Sequence, residues 1–159
     1  MEEFTIRKAT EKDLPMVIAI NRKCLPENYP EWFFLQHLRN WGDAFLVAVY
    51  KGIVVVGYVM SRAEWGPGIF SKGLTRKGHI ISLAVLPRYR RRGLGTRLME
   101  KALDALHRVY GCTEVYLEVR VSNTPAIKLY EKLGFKKVSV LKRYYADGED
   151  AYLMAKQLN

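Results

Sequence analysis

One stretch of the chain, residues 79–110, constrains the fold more than any other. It begins with an apolar run of strand length, residues 79–86, which Pro87 ends because proline has no N–H to donate to a sheet. Four arginines follow within five residues, and then Gly93 and Gly95. The apolar residues beyond them recur on one face of a 3.6-residue period, which predicts a helix. A strand therefore leads through an arginine- and glycine-rich turn into a helix.

This turn has the chemistry of an anion-binding site. The first N–H groups of a helix have no partner within the helix, and the helix dipole makes that end positive. Glycines at 93 and 95 remove the side chains that would keep a phosphate away from those N–H groups. The spacing Arg90-x-x-Gly93-x-Gly95 matches neither the P-loop nor the dinucleotide-binding fingerprint. On these residues alone, a solvated basic turn and a nucleic-acid patch are open alternatives.

Arg90-x-x-Gly93-x-Gly95 after an apolar strand resembles the acetyl-CoA signature of the GCN5-related N-acetyltransferases (GNAT). Within that superfamily, four segments that cover nearly the whole chain resemble the protein N-terminal acetyltransferases of the Ard1 type. These segments are Leu25–Tyr29, His79–Val85, Leu117–Asn123 and Tyr144–Tyr152. The resemblance implies an enzyme that transfers an acetyl group from acetyl-CoA to the α-amino group of polypeptide N-termini, including those of nascent chains.

Length and composition set the class of protein. With 159 residues, 49% of them hydrophobic, the chain is predicted to form one N-acetyltransferase domain over residues 1–159. No apolar run approaches the length of a membrane span, and the first residues lack a signal-peptide pattern. We therefore expect a soluble cytoplasmic protein with no membrane partner. Cys24 and Cys112 have neither metal nor redox spacing, which predicts two buried thiols.

The formal net charge of +10 exceeds what a single CoA requires. The excess indicates either attraction to a ribosome or other nucleic acid, or a basic surface that serves only solubility. In the resembled family a partner subunit can change the choice of substrate, so an auxiliary subunit is a further expected partner.

The pattern of apolar periods and turn signals predicts the element order β-α-α-β-β-β-α-β-α-β-β, an α/β fold with a mixed sheet and helices on both faces. The expected helix caps are Thr10 and Thr124, residues 65–73 are expected to form a mobile loop, and the last hairpin is expected between residues 138–145 and 151–156. The resemblance implies the GNAT fold, in which a mostly antiparallel sheet splays between its central strands and admits the pantetheine arm of acetyl-CoA.

The proposed reaction needs a neutral amine. An α-amino group has a pKa of about 7.7–8.0, whereas that of lysine is about 10.4, so an α-amine requires only a modest general base. The candidate bases are Glu118, His79 and Glu27, three positions that the resemblance implicates in activity, and the sequence does not choose among them. The alternatives are a structural His79, a turn-exposed Glu27 and a half-exposed Glu118 paired with Arg120 or a lysine. His79 and Glu118 could also bind an adventitious ion, but two ligands do not argue for a required metal.

Other site residues follow from the resemblance. Main-chain groups of residues 83–85 would donate to the thioester oxygen, Asn123 would contact the pantetheine arm, and Tyr130 would protonate the departing thiolate unless it is only a core residue. The cofactor-binding set implied is Leu83, Ala84, Val85, Arg90, Arg91, Arg92, Gly93, Leu94, Gly95, Thr96, Asn123 and Tyr130. The substrate-binding set implied is Leu25, Glu27, Tyr29, Tyr144 and Tyr145.

Two other functions compete with N-terminal acetylation. One is acetylation of lysine or a small amine on the same fold, against which the segments at 25–29 and 144–152 argue. The other is a nucleic-acid or ribosome-binding module, which predicts aromatics interleaved with basic residues. The aromatics cluster instead at residues 32–34 and 144–145, away from the arginines. Acidic residues in the last hairpin predict a negative mouth that attracts a cationic N-terminus, or simply a solvated hairpin.

Overall fold

The computed structural model describes residues 3–159, which form a seven-stranded sheet flanked by four α-helices. The predicted order of strands and helices is confirmed. The strands are β1 (Phe4–Lys8), β2 (Phe45–Tyr50), β3 (Val54–Pro67), β4 (Leu74–Val85), β5 (Glu114–Arg120), β6 (Lys136–Leu141) and β7 (Ala151–Gln157). The α-helices are α1 (Leu14–Cys24), α2 (Glu31–Asn40), α3 (Leu94–Arg108) and α4 (Thr124–Lys132).

The sheet splays at its centre, as the resemblance implied. Its strand order is β1-β2-β3-β4-β5-β7-β6, and all neighbours are antiparallel except β4 and β5. The parallel pairing of β4 with β5 extends only from Lys77↔Glu114 to His79↔Tyr116. Beyond that point the two strands diverge, so the backbone edges of residues 80–85 and 117–120 face a gap instead of each other. The mostly antiparallel, centrally splayed sheet of the predicted fold class is confirmed.

A β-bulge in β4 lies next to the divergence. Met60 of β3 pairs with Ser82, whereas Ser61 pairs with Ile80, so Ile81 is an extra residue without a partner on β3. A bulge bends its strand and increases the local twist. It therefore helps to turn the second half of β4 away from β5.

The two faces of the sheet carry separate cores. One is built on α3 and α4, and the fully buried Leu98, Met99 and Leu106 of α3 lie on the helix face that the sequence period predicted. The other is built on α1 and α2. Gly78 permits the close approach of α3, because a Cβ atom there would lie 2.8 Å from the Leu106 side chain. Helices thus cover both faces and leave the gap between β4 and β5 as the opening.

The predicted loop at 65–73 is wrong in extent. β3 continues to Pro67 and pairs with β4 from Leu74 onward, so only residues 68–73 form a loop. The carboxylate of Glu114 accepts hydrogen bonds from the backbone N–H groups of residues 69–71 at 2.7, 2.9 and 2.7 Å. The Trp-Gly-Pro-Gly composition suggested a turn, but ladder pairing with β4 and this carboxylate hold the segment.

Three local expectations also need correction. Asn123, not Thr124, caps α4, because its side-chain oxygen accepts the N–H of Ala126 at 3.3 Å. The predicted strand at 138–145 instead spans residues 136–141, since the chain turns at Arg143 with φ of 49°. Of the two thiols, Cys112 is buried as expected, whereas Cys24 is only half-buried.

Two further expectations concern the first helix and the membrane. Asp13 accepts the backbone N–H of Thr10 at 2.8 Å, as the predicted cap requires, although a short 3₁₀ turn (Glu11–Asp13) precedes α1. Within residues 3–159, no helix has both the length and the apolar character needed to cross a bilayer.

Candidate active site

The divergence of β4 and β5 opens a cleft of about 1500 Å³. This exceeds the roughly 300–1,000 Å³ of ordinary small-molecule sites, and it leaves room for a long ligand together with a second substrate. Six segments line it: the loop after α1 (24–29), the second half of β4 (80–85), the turn before α3 (89–96, except Arg92), the end of β5 (117–120), part of α4 with its cap (123–132) and the β6–β7 hairpin (144–147).

The turn before α3 leads from β4 into the helix, as the sequence predicted, and two of its residues have positive φ. Gly93 is the N-cap of α3 with φ of 77°, in the left-handed region that favours glycine, and Arg91 has φ of 65°. The N–H of Arg97 bonds to the Gly93 carbonyl at 3.0 Å. The N–H groups of residues 94–96 precede this first helical hydrogen bond and have no acceptor within the helix. They lie on the cleft at the positive end of the helix dipole, where an anionic group is stabilised.

The arginines of this turn have different positions. Arg90 donates from Nε to the carbonyl of Val85 at 2.8 Å and so ties the turn to the end of β4. Arg91 lines the cleft. Arg92, in contrast, lies over the ring of Phe4, 5.7 Å from its centroid, and does not line the cleft. The predicted cofactor role of Arg92 therefore has no support from its position.

The open edge of β4 presents main-chain groups to the cleft. The N–H of Leu86 donates to Val56 of β3 at 2.8 Å. Since main-chain groups in an antiparallel ladder alternate between the two sides of a strand, those of Val85 and Leu83 point away from β3, toward the gap. Those of Ala84 point toward its partner Tyr58. Two of the three predicted residues thus offer N–H groups that could bind an oxyanion.

Tyr130 and Asn123 lie on the opposite wall. Tyr130 is 9% exposed, and burial raises its pKa to about 12, so its hydroxyl keeps its proton at neutral pH. Its ring packs near Phe135, with centroids 5.9 Å apart. Asn123 uses its carboxamide oxygen for the cap of α4, which leaves its NH₂ group for other partners. Tyr130 is thus both a core residue and a cleft residue.

His79 and Glu118 meet where the strands begin to diverge. Nε2 of His79 lies 2.8 Å from Oε1 of Glu118, and the His79 ring stacks on Tyr116 with centroids 4.1 Å apart. Glu118 lines the cleft, whereas His79 lies behind it and does not. The predicted alternative, an ion pair of Glu118 with Arg120, is wrong.

A second carboxylate, Glu64 of β3, holds the other side of His79. Its Oε2 lies 3.0 Å from Nδ1 of His79 and accepts a hydrogen bond from Nε of Arg62 at 2.7 Å, while Tyr116 donates its hydroxyl to Oε1. Burial opposes the ionisation of Glu64, but these hydrogen bonds outweigh it and lower its pKa. Burial also acts to lower the pKa of His79, yet the bonds to Glu118 and Glu64 outweigh it and raise that pKa.

Arg120 connects the two loops at the mouth of the cleft. Its guanidinium donates to Glu27 at 2.7 Å, to Asp147 at 2.8 Å and to Glu149 at 2.9 Å, and it lies over the ring of Tyr145 at 4.1 Å. Glu27 belongs to the loop after α1, and the other three residues belong to the β6–β7 hairpin. Glu27 is thus a carboxylate held in an ion pair between the two loops. Three carboxylates around one guanidinium leave the mouth net negative.

The predicted substrate residues line the same mouth. Tyr29 stacks on Phe33 with centroids 4.7 Å apart, its hydroxyl is 3.5 Å from the carbonyl of Ile81, and burial raises its pKa to about 12. Tyr144 and Tyr145 meet edge to face at 5.0 Å. Leu25 borders the cleft beside them. The structure therefore brings together all five residues of the predicted substrate set.

Sequence analysis missed several residues of the site. Glu64 lies just before the segment 65–73 that the sequence predicts as a loop, in a part of β3 that no predicted strand covers, so strand alternation does not single it out. Arg120 was considered only as a partner of Glu118. Asn21 is fully buried in α1 and donates to the carbonyl of Glu27 at 3.0 Å and to the hydroxyl of Tyr58 at 3.1 Å. A buried asparagine on an apolar helix face was the available signal, because such a group must find partners.

Comparison with known proteins agrees with this geometry. The acetyltransferase (GNAT) family matches residues 14–135. An N-alpha-acetyltransferase of Saccharolobus solfataricus is 55% identical over 98% of this chain and 94% of its own length. The crystal structure of Ard1 from Thermoplasma volcanium superposes with a TM-score of 0.81 at 33% identity, covering 99% of both chains. Chaetomium thermophilum Naa20, crystallised with a bisubstrate analogue, gives a TM-score of 0.84 at 33% identity over 97% of this chain and 86% of its own.

Proposed function

The chain belongs to the acetyltransferase (GNAT) family, and from that premise we propose that it transfers an acetyl group from acetyl-CoA to the α-amino group of polypeptide N-termini. One observation carries the proposal. A single cleft has an anion-binding helix end on one side of the sheet opening and a tyrosine-lined, net negative mouth on the other. The open backbone edge of β4 and the Glu118–His79 pair lie between them, where donor and amine would meet.

The residues at the first end fit acetyl-CoA, which supplies the acetyl group as a thioester. The N–H groups of residues 94–96 and the Arg91 side chain suit its phosphates. The N–H groups of Leu83 and Val85 suit the thioester oxygen, where negative charge develops when the amine attacks. Because these donors are part of a strand held by β3 on its other edge, they need little reorganisation during the reaction.

The attacking amine gives up a proton, and Glu118 is the group best placed to take it. Its carboxylate faces the cleft, whereas His79, which contacts the same carboxylate, does not reach the cleft surface. An α-amine is already partly neutral at pH 7.5, so a carboxylate acting directly or through one water suffices. When the C–S bond breaks, the CoA thiolate takes a proton, and the Tyr130 hydroxyl, kept protonated by burial, is the donor we propose. The proton that Glu118 took from the amine then restores the tyrosine through solvent, so no net proton is gained or lost at the site.

The mouth suits a peptide N-terminus. Glu27, Asp147 and Glu149 outnumber the single guanidinium of Arg120, so the field favours an approaching ammonium group. Tyr29, Tyr144 and Tyr145 provide hydroxyls for the first peptide groups and rings that exclude water. A small amine would contact only a few of these residues, which favours a polypeptide over a small-amine substrate.

A CoA-release assay on two matched peptides tests the proposal. One peptide has a free N-terminus and no lysine, and the other has a blocked N-terminus and one internal lysine. We expect turnover of the first alone. Turnover of the second alone would reassign the enzyme to lysine side chains and contradict the argument from the mouth. If neither reacts, calorimetric titration with CoA decides whether the turn before α3 binds the donor at all.

We also propose that the enzyme acts in the cytoplasm on nascent chains, with an auxiliary subunit. Both cysteines are free thiols, as expected for a reducing compartment. A net charge of +10 favours association with ribosomal RNA. A similar solved chain, at a TM-score of 0.81 and 30% identity, belongs to a structure of the NatB acetyltransferase complex bound to CoA. Cosedimentation with ribosomes that weakens steeply between about 50 and 200 mM salt would support association with ribosomal RNA. Cosedimentation that does not depend on salt would oppose it.

A further inference from the structure

Both ring nitrogens of His79 face carboxylate oxygens. Nδ1 lies 3.0 Å from Glu64 and Nε2 lies 2.8 Å from Glu118. A neutral imidazole has one N–H donor and one acceptor nitrogen, whereas an ionised carboxylate only accepts. Both contacts are hydrogen bonds only if the ring carries both hydrogens, or if one carboxyl group holds the proton instead.

The surroundings of Glu64 decide where that proton lies. Glu64 accepts hydrogen bonds from Nε of Arg62 and from the hydroxyl of Tyr116, in addition to the contact with His79. Three hydrogen-bond donors around this carboxyl group stabilise its ionised form, so Glu64 carries no proton. Glu64 is therefore a fixed negative charge at Nδ1, and it favours the proton on the ring over the proton on Glu118.

We propose that Glu64 is a positioning residue that holds His79 as an imidazolium ion, so that the Glu118 carboxylate, and not the ring, accepts the proton of the substrate amine in the resting enzyme. This inference rests on the proposed function. It also chooses among the three candidate bases, which the sequence left open. His79 then acts through Glu118: its Nε2–H orients one carboxylate oxygen and leaves the other for the cleft.

The charged and titratable groups around His79 act in both directions, and the two carboxylates are the ones that contact its ring nitrogens. Glu64 and Arg62 come from β3, Tyr116 and Glu118 from β5, and Lys77 from β4, where its ammonium lies 5.1 Å from the centroid of Tyr116. From α2, His37 contributes Nε2 at 3.4 Å from the Arg62 guanidinium. Burial, together with the nearby Arg62 charge, lowers the pKa of His37, although its bond to the Phe33 carbonyl acts the other way. The two carboxylates are thus the groups in direct contact with the ring nitrogens, and both stabilise a cation.

The variant Glu64→Gln separates charge from shape. The Gln amide can donate to Nδ1 of a neutral His79, and the ring can still donate from Nε2 to Glu118. Both contacts of His79 therefore persist while the imidazolium loses its counter-charge, although the amide nitrogen in place of Oε2 no longer accepts from Arg62. We expect the pKa of His79 to fall in this variant. Glu64→Asp keeps the charge on a shorter side chain and should keep the imidazolium. Glu100→Gln, at an exposed position on α3, is the matched control.

Nitrogen-15 NMR of protein labelled at histidine reads the protonation state directly, and with three histidines the spectrum can be assigned by one His79→Gln sample. At pH 7.5 we expect both His79 nitrogens to be protonated in the parent, in Glu64→Asp and in Glu100→Gln, and one to lose its proton in Glu64→Gln. A parent ring with one bare nitrogen at pH 7.5, or a Glu64→Gln ring that titrates like the parent, would overturn the proposal. This measurement does not depend on turnover, so it stands even if the proposed substrate is wrong.

The pH dependence of kcat tests the consequence for catalysis. If the imidazolium form is the active one, activity falls at high pH as His79 loses its proton, and Glu64→Gln should move this alkaline limb to lower pH by about one unit or more. Glu64→Asp should keep the limb in place even if kcat is lower, a pattern that mere structural damage would not give. A limb that is unmoved in Glu64→Gln, with the NMR change present, would show that the ring's charge is irrelevant to the reaction and would refute the role given to Glu64.

Discussion

Arg120→Lys is the substitution that should separate the binding of the peptide from the binding of acetyl-CoA. The Arg120 guanidinium holds Glu27 of the loop after α1 and, through its other nitrogen, Asp147 and Glu149 of the β6–β7 hairpin. A lysine keeps the positive charge but has one ammonium group and no planar fork, so it cannot hold both loops in the same geometry. The peptide mouth should loosen, while the turn before α3 should be unaffected.

The hydrogen bond between Arg120 and Glu27 sets the size of the expected loss in kcat/KM. A hydrogen bond between charged groups contributes about 1.5–3 kcal/mol. The side chains of Arg120 and Glu27 are 17% and 35% exposed, so solvent screening reduces this to about 1–2 kcal/mol. If the whole loss falls on the peptide complex, kcat/KM for the peptide drops roughly 5–30-fold.

Steady-state kinetics with each substrate varied in turn measures the effect, with Arg22→Lys on the exposed side of α1 as the control. We expect a lower kcat/KM for the peptide, an unchanged KM for acetyl-CoA, and an effect that is not additive with Glu27→Gln, since both variants remove the same bond. Additive losses, or an equal rise of both KM values, would refute the reasoning, because Arg120 would then act on something other than the position of Glu27.

Three further predictions test other parts of the site. In Glu114→Gln one acceptor oxygen of three loop N–H groups is lost, which should lower stability by about 2–3 kcal/mol and the Tm by roughly 4–12 °C, with exposed Glu100→Gln unchanged. Burial opposes ionisation of Glu114, but the three N–H groups outweigh it and lower its pKa. The stabilisation from the Glu114 carboxylate is therefore present above its ordinary pKa of about 4.3 and is lost as pH falls through the pKa in the folded protein. Urea unfolding at pH 7 and pH 3 should show a larger loss of unfolding free energy in the parent than in Glu114→Gln. Gly93→Ala places a Cβ at φ of 77°, a strain of about 1–2 kcal/mol that should appear as a lower Tm or as weaker CoA binding by calorimetry; no change in either would contradict the predicted role of that turn. Tyr130→Phe should lower kcat roughly 10–100-fold with little change in KM, and turnover at the parent rate would remove Tyr130 as the thiolate's proton donor.

The parts of the fold that depend on local patterns could be predicted from the sequence. The strand, turn and helix over residues 79–108 follow from one apolar run, a proline, two glycines and a helical period. The structure has all three in that order, although β4 begins at Leu74, before the apolar run. The central splay followed only from the resemblance to a known family. No residue pattern states that β4 and β5 pair for three residues and then separate, because that depends on a bulge and on long-range register.

The parts of the site that depend on distant contacts could not be predicted. Glu64, His79 and Glu118 come from three strands, and only the register of β3 with β4 and of β4 with β5 brings them within hydrogen-bond distance. The same limitation applies to Arg120, which the sequence predicts only as a partner of Glu118. Alternation puts both on one face, but their partners come from elements 39 and 93 residues away along the chain.

The open edges of β4 and β5 have a consequence for the solution behaviour of this protein. Unpaired strand edges usually lie at the rim of a sheet, where they can recruit a strand of another molecule and lead to aggregation. Here an additional pair of such edges lies in the middle of the sheet, between helices, where a neighbouring protein's strand has little access but a narrow molecule with amide groups can enter. A ligand that pairs with them completes the sheet from within, so unfolding would have to release it. The heat resistance of this fold should therefore rise with the concentration of whatever occupies the gap.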